Sequence, residues 1–203
     1  NCILVTQAQL DAINGGNLSG WIKGSSQVFS TDCTRTYVPD DYFENELIKL
    51  GYDDVVDDYV TTENIIGVKT LDLDNAYITD ITGLSSFSSL EELKLKDLRL
   101  GEVSLDLNSN SKLRIVELEK IEINSITISS LNDLETFKVY DNNISVLDIS
   151  NNTKLKILSL RGTKIYKLDL SKNTKLEELY TGNDIGDDYA SFTNSNKDSY
   201  TKL

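Results

Sequence analysis

The sequence predicts a solenoid, with a curved parallel β-sheet on its concave side, extended or briefly stranded chain on its convex side, and a helical cap at its N-terminal end. Three observations predict it. Val68, Leu90, Leu113, Leu134, Leu155 and Leu176 open similar apolar blocks at spacings of 22, 23, 21, 21 and 21 residues. A unit this short cannot bury its own apolar face, so neighbours must stack to do it. Within a unit the apolar residues fall at positions 1, 4 and 6 and again at 11, 14 and 16, as in Leu155, Leu158, Leu160, Ile165, Leu168 and Leu170. Each trio has the alternation of a strand with one buried face, and 21 residues leave no room for a full helix on the return side.

The elements follow in order. Residues 1–36 form an N-terminal segment in which Thr6 and Gln9 make a capping-box pattern, predicting a helix from Gln7 to Asn14 that Gly15 and Gly16 end. The Gly- and Ser-rich stretch after it reads as loop and short strand. Cys2 and Cys33 are the only cysteines, and a bridge between them would pin this segment. Lipidation of Cys2, giving a lipid anchor, or two free thiols are the alternatives. The chain has no methionine, so its N-terminus is expected to be processed or trimmed.

Residues 37–67 read as the helical cap. Pro39 suits a first helical turn, Asp40, Asp41 and Glu44 suit the positive end of the helix dipole, and Gly51 suits the stop. Phe43, Leu47 and Leu50 are expected to share the face that covers the first rung. Residues 68–180 form six repeats, whose second trio recurs as Leu100, Val103 and Leu105, as Ile123, Ile126 and Ile128, and as Ile144, Leu147 and Ile149. Asn151-Asn152-Thr153 and Lys172-Asn173-Thr174 read as turns, Asn tolerating left-handed backbone. Residues 181–203 lose the second trio and read as a C-terminal cap, with Ile185, Tyr189 and Phe192 as plugs.

Charge narrows the function. The net charge is −13, but residues 40–63 hold 9 acidic side chains against 1 basic, whereas residues 64–175 hold 16 against 15. Phosphate binding needs a basic stripe, so nucleic acid is excluded as a partner. No apolar run approaches the roughly 18 residues needed to span a bilayer. The absence of histidine removes Ser-His-Asp and Cys-His catalysis and His-based zinc, and nothing places two carboxylates across a pocket; no enzyme and no cofactor are expected.

The pattern LxxLxLxxNxIxxLDISxNTK resembles bacterial leucine-rich repeats. The lead-in from Thr36 to Leu93 resembles the N-terminal cap and first repeat of secreted or surface leucine-rich-repeat proteins of Bacteroidetes-type bacteria, distantly similar to internalins and their 21–23-residue repeats. The likeness covers Tyr37 to Lys175, and more weakly the tail around Asp187, Asp188 and Tyr189. It implies export, a secreted or cell-surface location, and a role in binding or adhesion. It carries no catalytic residue across. The asparagine expected after each concave strand occurs only as Asn142; Leu98, Ile121, Thr163 and Asp184 stand in the equivalent places, so Leu98 and Ile121 must pack inward.

Positions 3, 5 and 7 of each repeat should face the concave side. Position 5 reads Asp72, Lys94, Glu117, Lys138, Ser159, Tyr180, and position 7 reads Asp74, Lys96, Glu119, Tyr140, Arg161, Gly182. Acid and base alternate over the first four repeats and are expected to neutralise one another on a solvated face. Farther along, Tyr140, Ile157, Arg161 and Tyr180 gather without acidic partners, and they form the candidate patch for a protein or peptide ligand. A structural spacer or a carbohydrate-binding adhesion unit, with residues 1–36 making the contact, is the alternative. Asp53, Asp54, Asp57 and Asp58 could hold calcium, but they lack the alternating loop pattern, and charge that complements the helix dipole is the better reading.

Overall fold

Alternation of apolar and polar residues produces the concave sheet in the computed structural model, which describes residues 2–4, 6–14, 28–30, 34–181 and 191–193. In chain order the elements are β1 (Cys2–Leu4), α1 (Gln7–Asn14), β2 (Val28–Ser30), β3 (Arg35–Tyr37), α2 (Asp41–Lys49), β4 (Tyr59–Thr61), α3 (Thr62–Ile66), β5 (Thr70–Asp74), a 3-10 turn (Leu84–Ser86), β6 (Glu92–Lys96) and β7 (Ser104–Asp106). There follow β8 (Ile115–Glu119), β9 (Ser125–Thr127), β10 (Thr136–Tyr140), β11 (Ile157–Ser159), β12 (Lys167–Asp169), β13 (Glu178–Tyr180) and β14 (Ser191–Thr193).

One parallel sheet runs β5-β6-β8-β10-β11-β13, one strand from each repeat. Its register aligns Leu71, Leu93, Val116, Phe137, Leu158 and Leu179, so these side chains stack in a column pointing into the coil. The repeat-opening residues Leu90, Leu113, Leu134, Leu155 and Leu176 are fully buried beneath it. On the convex side β7 pairs with β9 and β12 with β14, both parallel, while residues 144–149 run extended without a strand. The predicted solenoid with a helical cap is therefore what the chain forms.

Several expectations need correction. Pro39 lies outside the helix: Asp40 is the N-cap of α2, its Oδ1 accepting from the amides of Tyr42 and Phe43, and Gly51 (φ +80°) follows the C-cap. Phe43 and Leu47 are buried, but Leu50 is 46% exposed, because it sits past the last helical turn. Val103 is 45% exposed, and Leu105 aligns with Ile126 rather than Ile128. The two extra residues of the 23-residue repeat therefore lie between Leu100 and Leu105, where Gly101 turns the chain at φ +73°. The tail lacks the second trio, yet its β14 pairs with β12 where a further rung would stand.

The capping box closes as expected: the Gln9 amide donates to Thr6 Oγ1 at 3.3 Å, and the Thr6 amide to Gln9 Oε1 at 3.0 Å. β1 and β2 form a small parallel sheet of their own. Cys33, Gly182, Asp184, Ile185 and Tyr189 lie outside the described residues, and with Cys33 so does the expected bridge to Cys2.

Candidate functional site

The concave face is built by the outward-pointing residues of the six strands. Its polar pairing differs from simple alternation. Lys138 donates to Glu117 at 2.8 Å across β10 and β8, and Lys96 approaches Glu119 at 3.9 Å, but Lys94 turns to Glu92 on its own strand at 2.8 Å. Asp72 and Asp74 on β5 consequently form no ion pair among the described residues, so the first rung is left acidic rather than neutralised.

At the other end, Tyr140, Ile157 and Tyr180 are half-buried on β10, β11 and β13, and Arg161 is exposed just past β11. One expectation fails here. The Tyr180 hydroxyl donates to Glu178 Oε2 at 2.8 Å, so Tyr180 does have an acidic partner. That bond is the main reason its ionisation is pushed up, with burial and the Glu178 charge adding, a smaller effect of Tyr140 and an opposing one of Lys138. Ser159, the smallest member of the position-5 row, is only 1% exposed, and its Oγ has no partner among the described residues.

The turn that ends each concave strand is shaped for this stack. Asp97, Lys120, Asp141 and Gly162 occupy the same place in successive repeats, and all have φ between +50° and +67°. Beside them Leu98 and Ile121 are buried, as expected, and so is Thr163. Asn142 works as a junction: its Oδ1 accepts from the Ile121 amide, and its Nδ2 donates to the carbonyls of Leu118 and Tyr140. Thr163 Oγ1 donates to the Leu160 carbonyl.

No protein-family model matches the chain, and no curated protein sequence matches it. Two solved structures from Listeria monocytogenes are similar. The functional domain of InlJ, described as including a cysteine ladder, shares 25% identity over 72% of this chain with a TM-score of 0.64. Internalin C2 shares 22% identity over 77% of this chain and 82% of its own, with a TM-score of 0.52. The fold is that of an internalin-like leucine-rich-repeat solenoid. This chain spans 33% of the InlJ structure.

The leucine-rich-repeat frame holds two polar ladders that sequence reading missed. Asn110, Asn152 and Asn173 are fully buried, each three residues before the next repeat-opening leucine. Their Nδ2 groups reach back to the preceding rung: Asn110 to the carbonyls of Leu84 and Phe87, Asn152 to Ile128 and Leu131, Asn173 to Ile149 and Asn152. The turns expected around Asn152 and Asn173 form, without left-handed backbone at either asparagine. The second ladder runs along the rim at position 2, where Lys69, Glu91, Arg114, Glu135, Lys156 and Glu177 alternate in sign. Lys69 pairs with Glu91 at 2.8 Å, and Glu135 is bracketed by Arg114 at 2.6 Å and Lys156 at 2.5 Å. Hydrogen bonds from Lys156 and then Arg114 lower the Glu135 carboxyl to about 2.

The four cap aspartates do not converge. Asp57 pairs with Arg35 at 2.5 Å, while Asp58 comes together with Asp41 and Glu44, their carboxylate oxygens within 4.8 Å of one another. Glu44 is fully buried and accepts from the amides of Asp57, Asp58 and Tyr59, which makes it the anchor of that loop. Burial pushes its carboxyl up, the nearby Asp53 adds to that, and the three amides only partly offset it.

Proposed function

We propose that the chain is a non-enzymatic recognition module that binds a protein or peptide through the C-terminal half of its concave face, with Tyr140, Ile157, Arg161 and Tyr180 making the contact. One observation carries the reading. The last three strands bring two half-buried tyrosines, an isoleucine and an exposed arginine onto one face, and tyrosine and arginine are the types that dominate interface energetics. The earlier strands offer mostly charges engaged with one another. Six strands make a face about 25 Å long, enough for an extended peptide or a protein loop.

The reading includes export to a bacterial surface and an adhesive role, which the sequence resemblance and the internalin-like fold support. No helix among the described residues is long and apolar enough to cross a membrane. It also includes the division into an N-terminal segment (1–36) pinned by Cys2 and Cys33, a cap (37–67), six repeats (68–180) and a C-terminal cap (181–203). Binding of the labelled full chain to surfaces from its native environment should fall about tenfold or more in the Tyr140→Ala/Arg161→Ala variant, in line with a two-residue hot spot. Unchanged binding would replace this reading with that of a rigid spacer whose contact is made elsewhere.

A further inference from the structure

The cap carries a second surface, separate from the concave patch. Tyr42 on α2 and Tyr77, in the loop after β5, stack with ring centroids 5.2 Å apart and planes 25° apart. They are 49% and 64% exposed, so an aromatic pair stands in solvent where a folded chain ordinarily buries it. Tyr37 and Tyr59 form another exposed pair on the antiparallel β3 and β4, with centroids 5.3 Å apart.

Charge decides which partner fits these rings. Residues 40–63 hold 9 acidic side chains and 1 basic, and neither Asp41 nor Asp58 forms an ion pair among the described residues. An anionic partner would be repelled, whereas a cation gains from both the ring faces and the field. The chain itself displays the arrangement. The Arg35 guanidinium lies 4.9 Å over the Tyr59 ring while its Nη2 stands 2.5 Å from Asp57, so one cation is shared by an aromatic face and a carboxylate. Tyr42 follows Asp41 on α2, and the Asp41 carboxylate lies within 4.8 Å of Asp58, so the rings stand in the acidic field of the cap.

We propose that the Tyr42–Tyr77 surface is a second binding site, taking an arginine-bearing segment of a basic peptide or protein, with a guanidinium on the rings and the acidic cap, Asp41 and Asp58 included, supplying the field that favours it. The rings carry the site and the carboxylates set the sign of its partner. Arginine is preferred to lysine because its planar, weakly hydrated head stacks on an aromatic face and pairs in a fork with a carboxylate.

The test titrates the full chain with octaarginine and octalysine peptides, reading affinity and amide chemical shifts. The expected result is tighter binding of octaarginine, with shifts centred on residues 41–45 and 75–80. Tyr42→Ala/Tyr77→Ala should weaken it about tenfold, as loss of a stacked cation site would, while Tyr42→Phe/Tyr77→Phe, which keeps the rings, should retain it. Asp41→Asn/Asp58→Asn should weaken it more than Asp169→Asn/Glu177→Gln, which removes equal charge in the last repeats, at the other end of the sheet. Tyr140→Ala/Arg161→Ala should leave it unchanged, which separates this site from the concave one. Equal affinity for the two peptides, no effect of the alanine pair, or equal effects of the two neutralised pairs would each overturn the proposal, since any of them means a diffuse field without a site.

Discussion

Asp40 holds Thr79 through two hydrogen bonds to a single carboxylate oxygen, from the Thr79 amide at 2.8 Å and its hydroxyl at 2.9 Å. The Asp80 amide donates to the same oxygen at 3.1 Å, while the other oxygen caps α2. One side chain thus starts the cap helix and fastens it to the first repeat, 39 residues away. Asp40→Ala should destabilise the protein by about 2–4 kcal/mol, combining a lost N-cap with amides left unsatisfied. Burial pushes the Asp40 carboxyl up, but the bonds from Thr79, Phe43 and Asp80 outweigh it, and the net direction is down. Its contribution is therefore complete above the unfolded carboxylate value and lost as pH falls through the lower folded one. Denaturant melts at pH 7 and at pH 3 check this, the gap between wild type and variant narrowing at the lower pH.

Glu135 is the second acid-sensitive point, and it behaves differently because it is on the surface. Glu135→Gln should cost only about 0–1 kcal/mol at neutral pH, the range for exposed pairs, despite two cationic neighbours. With its folded value near 2 against an ordinary 4.5, the advantage of glutamate persists above about pH 4.5 and vanishes near pH 2. Raising the salt from 50 mM to 1 M should erase the same difference at pH 7, since the Debye length shrinks to about 3 Å. Melting temperatures across that pH and salt grid check both halves.

How much of this was legible depends on what each residue type can do. The concave strands were readable because Leu71, Leu93, Val116, Phe137 and Leu158 have one stable destination, the coil interior. Thr6 and Gln9 were readable because a capping box is local chemistry. Val103 misled because a 23-residue repeat announces two extra residues without saying where they go, and a valine in the inserted loop looks like the missing core position. The turns at Asn152 and Asn173 were readable but their buried bridges were not, because the partners, such as Ile128 and Ile149, are one repeat away. At the site, Tyr140, Ile157, Arg161 and Tyr180 were legible as a row. The Glu178 bond was hidden, since it joins two side chains of one strand whose conformations no spacing determines.

The left-handed column gives a pair of opposite outcomes. A Cβ on Gly162 would stand 2.1 Å from Asp141 Oδ1 and 2.9 Å from the Asp141 amide nitrogen, and φ there is +67°. Gly162→Ala should destabilise by about 2 kcal/mol or more, adding backbone contact to the roughly 1–2 kcal/mol of left-handed strain. Lys120 sits in the same column at φ +50°, with a loose 3.7 Å ion pair to Glu119. Lys120→Gly should be neutral or stabilising by up to about 1 kcal/mol, because relief of strain outweighs the added unfolded-chain entropy. Chemical denaturation of both variants checks the signs.

The buried asparagine column yields the last prediction. Asn152 donates twice from Nδ2, at 3.0 and 2.9 Å, yet its Oδ1 is buried without a partner among the described residues. The carbonyls it serves, Ile128 and Leu131, also accept from the amides of Leu131 and Leu134, so neither is stranded when the side chain goes. One repeat earlier the same place is held by Leu131, fully buried, which shows that the frame accepts an apolar side chain there. Asn152→Leu should therefore cost about 1–2 kcal/mol, two modest hydrogen bonds less the relief of one orphaned oxygen. Asn152→Ala loses the same bonds and leaves a cavity, and it should cost about 1 kcal/mol more. Asn142 offers the contrast, since its Oδ1 accepts the Ile121 amide and its removal orphans a buried donor. Asn142→Leu should then be worse than Asn152→Leu by about 1–3 kcal/mol, the cost of an unsatisfied amide, and urea melts ranking the two leucine variants the other way would refute the distinction.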